Sequence, residues 1–124
     1  MSTMAGKAIL IVEDSPLISD RVYAMLKFLN NVRSIDRASE CSSAMRHIAE
    51  TIPDIVLLDI NLPGCSGLHV LRHIKGRHPG TVVIMLTNEV DGYYRRKCKE
   101  LGADYFVDKS KEFEKVPGII SSLL

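Results

Sequence analysis

Residues 53–64 read PDIVLLDINLPG, and the apolar run inside this stretch, Ile55–Leu58, decides the fold. Four consecutive apolar residues of strand length are typical of a strand that is buried on both faces of a parallel sheet. Asp59 follows this run directly, at a position that should still lie close to a core. A charge near a core is unfavourable unless another group compensates it, so Asp59 is expected to have a partner.

Apolar runs of the same kind occur at residues 8–12 (AILIV) and 81–86 (TVVIML). A half-polar segment at 32–38 suits an edge strand, and a short fifth strand is predicted at 105–107. Apolar spacing and turn residues predict a helix after each strand, at about 16–29, 42–52, 67–76, 91–101 and, beginning at Pro117 after a turn, within 113–124. Because helices alternate with continuously apolar strands, we predict a doubly wound α/β fold: a five-stranded parallel sheet with helices on both faces.

The composition favours one domain over residues 1–124, with a core from about residue 7. Sixteen basic and fifteen acidic residues give a net charge of +1, which argues against binding of the whole surface to nucleic acid or anionic membrane. No apolar stretch is long enough to span a bilayer, and the first residues do not resemble a signal peptide. Three cysteines, an odd number without a CxxC motif, favour a reduced cytoplasmic chain over disulfides or a thiolate metal site.

Polar residues follow four of the predicted strands: Glu13, Asp14, Asp59, Thr87 and Lys109. The carboxyl ends of parallel strands meet at one edge of the sheet, where such folds bind ligands. Three carboxylates there would repel one another unless a cation such as Mg²⁺ were bound among them. A nucleophilic carboxylate, a metal ion, a lysine and a hydroxyl group are what phosphoryl transfer to an aspartate requires. We therefore predict that Asp59 is phosphorylated.

The same residues carry a family resemblance. The segments ILIVEDSP (9–16), PDIVLLDINLPGCSG (53–67) and LGADYFVDKS (101–110) resemble the receiver domain of bacterial two-component response regulators. The similarity covers residues 9–123 and is greatest to single-domain, chemotaxis-regulator-like members without an output domain. It implies a flavodoxin-like sheet with strand order 2-1-3-4-5.

By this resemblance, Asp59 would accept a phosphoryl group from a histidine kinase or a histidine phosphotransfer protein. Mg²⁺ would be bound by Asp14, Asp59 and the backbone carbonyl of Asn61, with Glu13 acting through water. Lys109 would pair first with Asp59 and then with a phosphoryl oxygen. Such a domain is a signalling module that catalyses only its own phosphorylation and dephosphorylation.

The resemblance also implies how the signal is transmitted and ended. Thr87 would move toward the phosphoryl group, and the switch aromatic Phe106 would move inward. These movements would change the surface formed by the fourth helix, the fifth strand and the fifth helix, where a downstream protein would bind. Asn61 and Glu89 would flank the path of the hydrolytic water, and because both are polar we expect a short-lived phosphoryl group.

Two positions depart from the family pattern. Ser110 follows Lys109, where the family usually has proline, so the geometry of this loop is open. Phe106 stands where many members have tyrosine, so a switch built on it must act by packing alone.

Particular residues argue against two alternatives to a phosphorylated receiver. A haloacid-dehalogenase-like phosphohydrolase needs a second aspartate two residues after the nucleophile, where this chain has Asn61. A degenerate receiver, which would bind proteins without phosphorylation, is disfavoured because Asp59, Thr87 and Lys109 are all present.

Three further features each have an ordinary structural explanation beside a functional one. His69 and His73 could bind a metal at i, i+4, but an exposed helix face is the better interpretation. Cys65 is interpreted as a simple loop residue. The basic run at 93–99 is either a solvated face or a docking surface for an acidic partner, and no recognition-helix unit accompanies it that would favour direct DNA binding.

Overall fold

The computed structural model describes residues 5–124; the first four residues of the predicted 1–124 domain lie outside this part. It contains five strands, β1 to β5, and five helices, α1 to α5, in strict alternation. Their bounds are β1 Lys7–Val12, α1 Pro16–Leu26, β2 Val32–Ala38, α2 Cys41–Thr51, β3 Ile55–Leu58, α3 Gly67–Arg77, β4 Val82–Thr87, α4 Gly92–Glu100, β5 Tyr105–Asp108 and α5 Val116–Leu123.

The strands form one parallel sheet in the order β2-β1-β3-β4-β5, which confirms the predicted fold. The half-polar strand β2 is at an edge, as its sequence predicts. The central strands β1 and β3 are buried along nearly their whole length, because helices cover both faces of the sheet.

Each face of the sheet has its own apolar cluster. One cluster packs α2, α3 and α4 on side chains such as Leu10 and Val56. The other packs α1 and α5 on the alternate residues of the same strands, such as Ile9 and Ile55. Successive strand residues point to opposite faces, so a continuous apolar run supplies both clusters.

Side-chain caps fix where three of the helices begin. Ser15 accepts a hydrogen bond from the amide of Ile18, Ser66 from the amide of Leu68, and Asp91 from the amide of Tyr94. In α1 the residue after the cap is Pro16, as the sequence predicts.

Several boundaries differ from the predicted ones. The first helix ends at Leu26, about one turn earlier than expected. Strand β4 begins one residue later and includes Thr87. Thr81 stays outside the strand because its amide donates to the His78 carbonyl at 3.0 Å in the preceding turn. A 3₁₀ turn, Phe113–Lys115, precedes α5, which begins one residue before Pro117.

Candidate functional site

The five residues predicted at strand ends all lie at the carboxyl edge of the sheet. Two backbone hydrogen bonds extend the pairing of the strands by one residue and so fix the positions of Glu13 and Asp59. The Glu13 amide donates to the Ala38 carbonyl at 3.0 Å, and the Asp59 amide donates to the Val12 carbonyl at 3.2 Å. These bonds leave the side chains free to converge beyond the ends of the strands.

The convergent side chains form an acidic cluster, which we define as Glu13, Asp14 and Asp59. One carboxylate oxygen from each lies within 4.8 Å of the others. Glu13 and Asp59 are each only 5% exposed, whereas Asp14 faces solvent. In the part of the chain that is described, this is the only set of three such groups close enough to hold one metal ion.

Lys109 compensates the buried side of the acidic cluster. Its Nζ lies 2.6 Å from Asp59 Oδ2 and 2.7 Å from Glu13 Oε1. Burial by itself would lower the pKa of Lys109, but hydrogen bonds to the two carboxylates outweigh it and the pKa is raised. Burial raises the pKa of Glu13 despite the opposing effect of Lys109. One ammonium group therefore faces three carboxylates and contacts two of them, so the site retains an excess of negative charge.

A chain of polar contacts lines the side of the site nearest β4. Thr87 is fully buried, and its Oγ1 accepts a hydrogen bond from the Glu89 amide at 3.1 Å. The Glu89 carboxylate in turn accepts a bond from the side-chain amide of Asn61 at 2.9 Å. The backbone amide of Asn61 points toward Asp59 Oδ1 at 3.4 Å. Asn61 and Glu89, which the family resemblance predicts on the two sides of the path of the hydrolytic water, are thus joined directly.

Phe106 is half-buried against the cluster that packs α2, α3 and α4. The Arg95 guanidinium lies over its ring, 4.6 Å from the centroid, and Arg95 Nε donates to the Val90 carbonyl at 3.0 Å. The ring and α4 are thus connected by a cation–π contact. Because the contact needs no hydroxyl group, it suits phenylalanine at this position.

The loop after Lys109 is built around Asp108, which sequence reasoning missed. Asp108 Oδ1 accepts bonds from the Ser110 amide at 2.9 Å, the Ser110 hydroxyl at 2.8 Å and the Lys111 amide at 3.2 Å. The hydrogen bond from the Ser110 hydroxyl is the main reason that the pKa of Asp108 is lowered. A proline at position 110 would have neither donor. The motif Asp-x-Ser is a known turn signal and could have indicated this arrangement.

Gly67, the first residue of α3, is a second position that the sequence left unremarked. An added Cβ would lie 1.9 Å from the carbonyl oxygen of Asp59. The helix therefore begins in direct contact with the backbone of the predicted phosphoacceptor, and only glycine allows this approach.

Two cysteine interpretations are wrong. Cys41 and Cys65 do not stand alone but form a disulfide, with 5.7 Å between their Cα atoms. Cys65 is therefore not a simple loop residue. The two positions are 24 residues apart, and nothing in their spacing indicates that α2 and the β3–α3 loop would meet. Cys98 is buried and free, and burial raises its pKa to about 11.

Comparisons with known proteins identify the family of this chain. The family model described as the response regulator receiver domain matches residues 9–121. The probable transcriptional regulatory protein TcrX of Mycobacterium tuberculosis is 32% identical over 116 residues, covering 94% of this chain and 49% of TcrX. The DNA-binding transcriptional activator EvgA of Escherichia coli K12 is 26% identical over 113 residues, covering 91% of this chain and 55% of EvgA.

A solved structure gives the same result. The BeF3-activated receiver domain of DrrB, from Thermotoga maritima, superposes with a TM-score of 0.76 at 30% identity, covering 95% of this chain and 93% of that one. The family model and this structural neighbour identify the class: receiver domains, the phosphorylation-activated signalling modules of response regulators. This chain belongs to the response regulator receiver family of two-component systems. It spans about half the length of the curated relatives it matches, so the expected absence of an output domain stays a prediction.

Proposed function

We propose that Asp59 of this receiver accepts a phosphoryl group from a phosphohistidine on a histidine kinase or phosphotransfer protein. The observation that carries the proposal is the contact of Asp59 with Lys109 inside an acidic cluster on the exposed edge of the sheet. A carboxylate oxygen of Asp59 attacks the phosphorus, the phosphorus–nitrogen bond breaks, and the histidine leaves with its electron pair. Lys109 lies where it can neutralise charge on the transferred group.

The acidic cluster fits a divalent cation. It offers hard oxygen donors, one of them on the exposed Asp14, and its charge exceeds what Lys109 can balance. These properties suit Mg²⁺, which prefers carboxylates and retained water. We propose that Asp14 and Asp59 bind it directly with the backbone carbonyl of Asn61, and that Glu13 acts through water. Bound there, the ion would supply positive charge for the phosphoryl oxygens.

The output surface is proposed to be the face formed by α4, β5 and α5. Thr87 and Phe106 connect the site to it: Thr87 ends β4, and Phe106 lies on β5 in contact with Arg95 of α4. Phosphorylation would bias Thr87 and Phe106 between two arrangements. The exposed basic residues of α4 suit an acidic protein partner, and direct DNA binding by this domain is not expected.

The setting of this function is proposed to be the cytoplasm. No helix within residues 5–124 has the length and apolar character needed to cross a membrane. Catalysis by the domain is proposed to be limited to its own phosphorylation and dephosphorylation. The degenerate-receiver alternative is not favoured, because Asp59, Thr87 and Lys109 are all in place.

The direct test is intact mass after incubation with acetyl phosphate and Mg²⁺. We expect a gain of about 80 Da, one phosphoryl group, that is lost when Mg²⁺ is chelated beforehand. An Asp59→Asn variant keeps the shape of the side chain but cannot form the acyl phosphate, so it should gain nothing. The matched control is Asp54→Asn, at the opposite end of β3, which should be modified like the wild type. An adduct of equal yield in Asp59→Asn would refute the assignment.

The lifetime of the adduct tests the roles of Asn61 and Glu89. Their side chains are bonded to each other at the edge of the site, where they can orient a water molecule toward the phosphorus. We expect the adduct to decay without a phosphatase, and to decay at least about tenfold more slowly in a Glu89→Leu variant. The expected effect is smaller than the ~10²–10⁴-fold of full general acid–base catalysis, because Glu89 only helps to orient the water. A wild-type half-life of many hours in Mg²⁺ would contradict the expectation.

A further inference from the structure

The disulfide between Cys41 and Cys65 joins two segments near the phosphorylation site. Cys41 is the first residue of α2, and Cys65 lies in the loop between β3 and α3. That loop, residues 60–66, begins directly after Asp59 and carries Asn61. The cross-link therefore fixes the segment that links the phosphoacceptor to the start of α3.

One backbone hydrogen bond already holds the same loop near α2, and two further contacts hold the shape of the loop itself. The Cys41 amide donates to the Pro63 carbonyl at 3.1 Å, and Asn61 pairs with Ser66 in an isolated bridge. The Gly67 amide donates to the Ile60 carbonyl at 2.6 Å. Because these bonds do not need the disulfide, the two sulfurs are brought together by the fold itself. The reduced protein can then keep the same fold with a looser loop.

The two sulfurs differ in access. Cys41 is 8% exposed, whereas Cys65 is half-buried between the exposed residues Gly64 and Ser66. An incoming thiolate can therefore reach Cys65 more easily than Cys41. Attack on Cys65 expels Cys41 as a thiolate at the N-terminus of an eleven-residue helix, where negative charge is favoured.

We propose that Cys41 and Cys65 form a reversible thiol–disulfide modification site whose oxidant is a low-molecular-weight disulfide such as glutathione disulfide. The Cys65 thiolate attacks the oxidant and forms a mixed disulfide, releasing one glutathione thiolate. The Cys41 thiolate then attacks the Cys65 sulfur and releases the second. Two protein thiols are oxidised to one disulfide, one glutathione disulfide is reduced to two thiols, and the two protons go to the released glutathione.

The modification changes the site through the loop that carries Asn61. In the oxidised protein the loop is covalently fixed, and Asn61 stays aligned with Glu89 and Asp59. In the reduced protein the loop opens more often, so the Asn61 position is less well ordered. We expect Mg²⁺ to bind about fivefold more weakly after reduction. This factor is at the low end of the range by which coupled sites typically change each other's affinity. This consequence rests on the proposed metal site, whereas the redox chemistry does not.

A redox titration of a Cys98→Ser variant tests the chemistry alone. Cys98 is buried and far less reactive, so its removal leaves only the pair in question. The folded variant is equilibrated in a series of buffers that differ in the ratio of reduced to oxidised glutathione. Free thiols are then alkylated, and the mass of the protein is measured by mass spectrometry. We expect reversible loss of both alkylation sites on oxidation, with a peptide linking positions 41 and 65. Failure to form that link, or a link that resists reduction until the protein unfolds, would overturn the proposal.

Loop exchange and metal binding complete the test. Amide hydrogen exchange over residues 60–67 should be faster in the reduced form, and a Cys65→Ser, Cys98→Ser double variant should behave like the reduced form under either condition. Exchange that is unchanged by redox state overturns the coupling to the loop. If exchange changes but Mg²⁺ binds neither form, the redox site stands and the proposed metal site fails.

Discussion

A Gly67→Ala variant is expected to lose about 3 kcal/mol or more of its free energy of unfolding. The added Cβ would lie 1.9 Å from the Asp59 carbonyl oxygen and 2.8 Å from the Ile60 Cα. Both are backbone atoms at the end of the buried strand β3, so no side-chain rotation relieves the clash. The chain must move either the start of α3 or the peptide of Asp59.

The same displacement should lower phosphorylation of the variant. The Gly67 amide donates to the Ile60 carbonyl at 2.6 Å, and a shift of the helix would break this bond and move the adjacent Asp59. Denaturant unfolding measures the first effect, and the yield of the acetyl phosphate adduct measures the second.

Gly76, on the same helix, provides the matched control. A Cβ there meets no atom within 4 Å, so Gly76→Ala should stabilise the protein by about 0.5–1 kcal/mol through helix propensity. If the two alanine variants had the same stability, the close approach at Gly67 would not be the constraint that the structure indicates.

Replacing Lys109 by methionine should lower the free energy of unfolding by about 2–3 kcal/mol in the presence of a chelator. The Lys109 side chain is 10% exposed and contacts Asp59 and Glu13, whose side chains are 6% and 4% exposed. Removing one partner from a buried ion pair typically costs about 3–5 kcal/mol, and we expect less here because the Asp14 side of the cluster is open to water. Chemical denaturation with and without Mg²⁺ measures the change.

Magnesium should restore much of the loss in the Lys109→Met variant. A cation bound by the acidic cluster would replace the missing ammonium, so the variant should gain more stability from Mg²⁺ than the wild type does. Lys111→Met, two residues along the same loop and exposed, is the control and should change stability by less than about 0.5 kcal/mol. An unchanged free energy of unfolding for Lys109→Met in chelator would contradict the proposed compensation.

The pH dependence gives an independent check on Lys109. Its pKa is raised in the folded protein, so its stabilising effect is fully present below the pKa of an unfolded lysine, about 10.4, and is lost as the pH rises through the folded value. The wild type should show this alkaline loss and the methionine variant should lack it. Burial raises the pKa of Glu13 in the wild type although Lys109 opposes it, and without Lys109 this opposition is lost. In the acid range the variant should therefore approach the wild type as Glu13 is protonated, because protonation removes one unbalanced charge.

The fold was predictable because its strands are uniform. Ile55–Leu58 and the run at 8–12 have no polar residue, and only a sheet covered on both faces explains them. The convergence of Asp59 with Glu13 and Lys109 followed from topology alone, since parallel strands end at one edge. The type of each residue and its position just after a strand were sufficient to predict that it lies in the site.

Other features depend on loop geometry, which periodicity does not encode. The disulfide requires α2 and the β3–α3 loop to meet, and two cysteines 24 residues apart carry no signal of that contact. The turn at Asp108 depends on three donors converging on one oxygen. Gly67 was part of a recognised motif, but its role is visible only once the distance to the Asp59 carbonyl is known.

Among the described strands, β5 lies at the edge of the sheet and pairs with β4, and this position also bears on how the protein is made. The acidic residues lie just after β1 and β3, which leave the ribosome well before Lys109 does. Until the last strand docks, those carboxylates have no ammonium to balance them. We expect a nascent chain that ends before residue 105 to stay incompletely folded and to depend on chaperones, so the phosphoacceptor becomes competent only when nearly the whole domain has been synthesised.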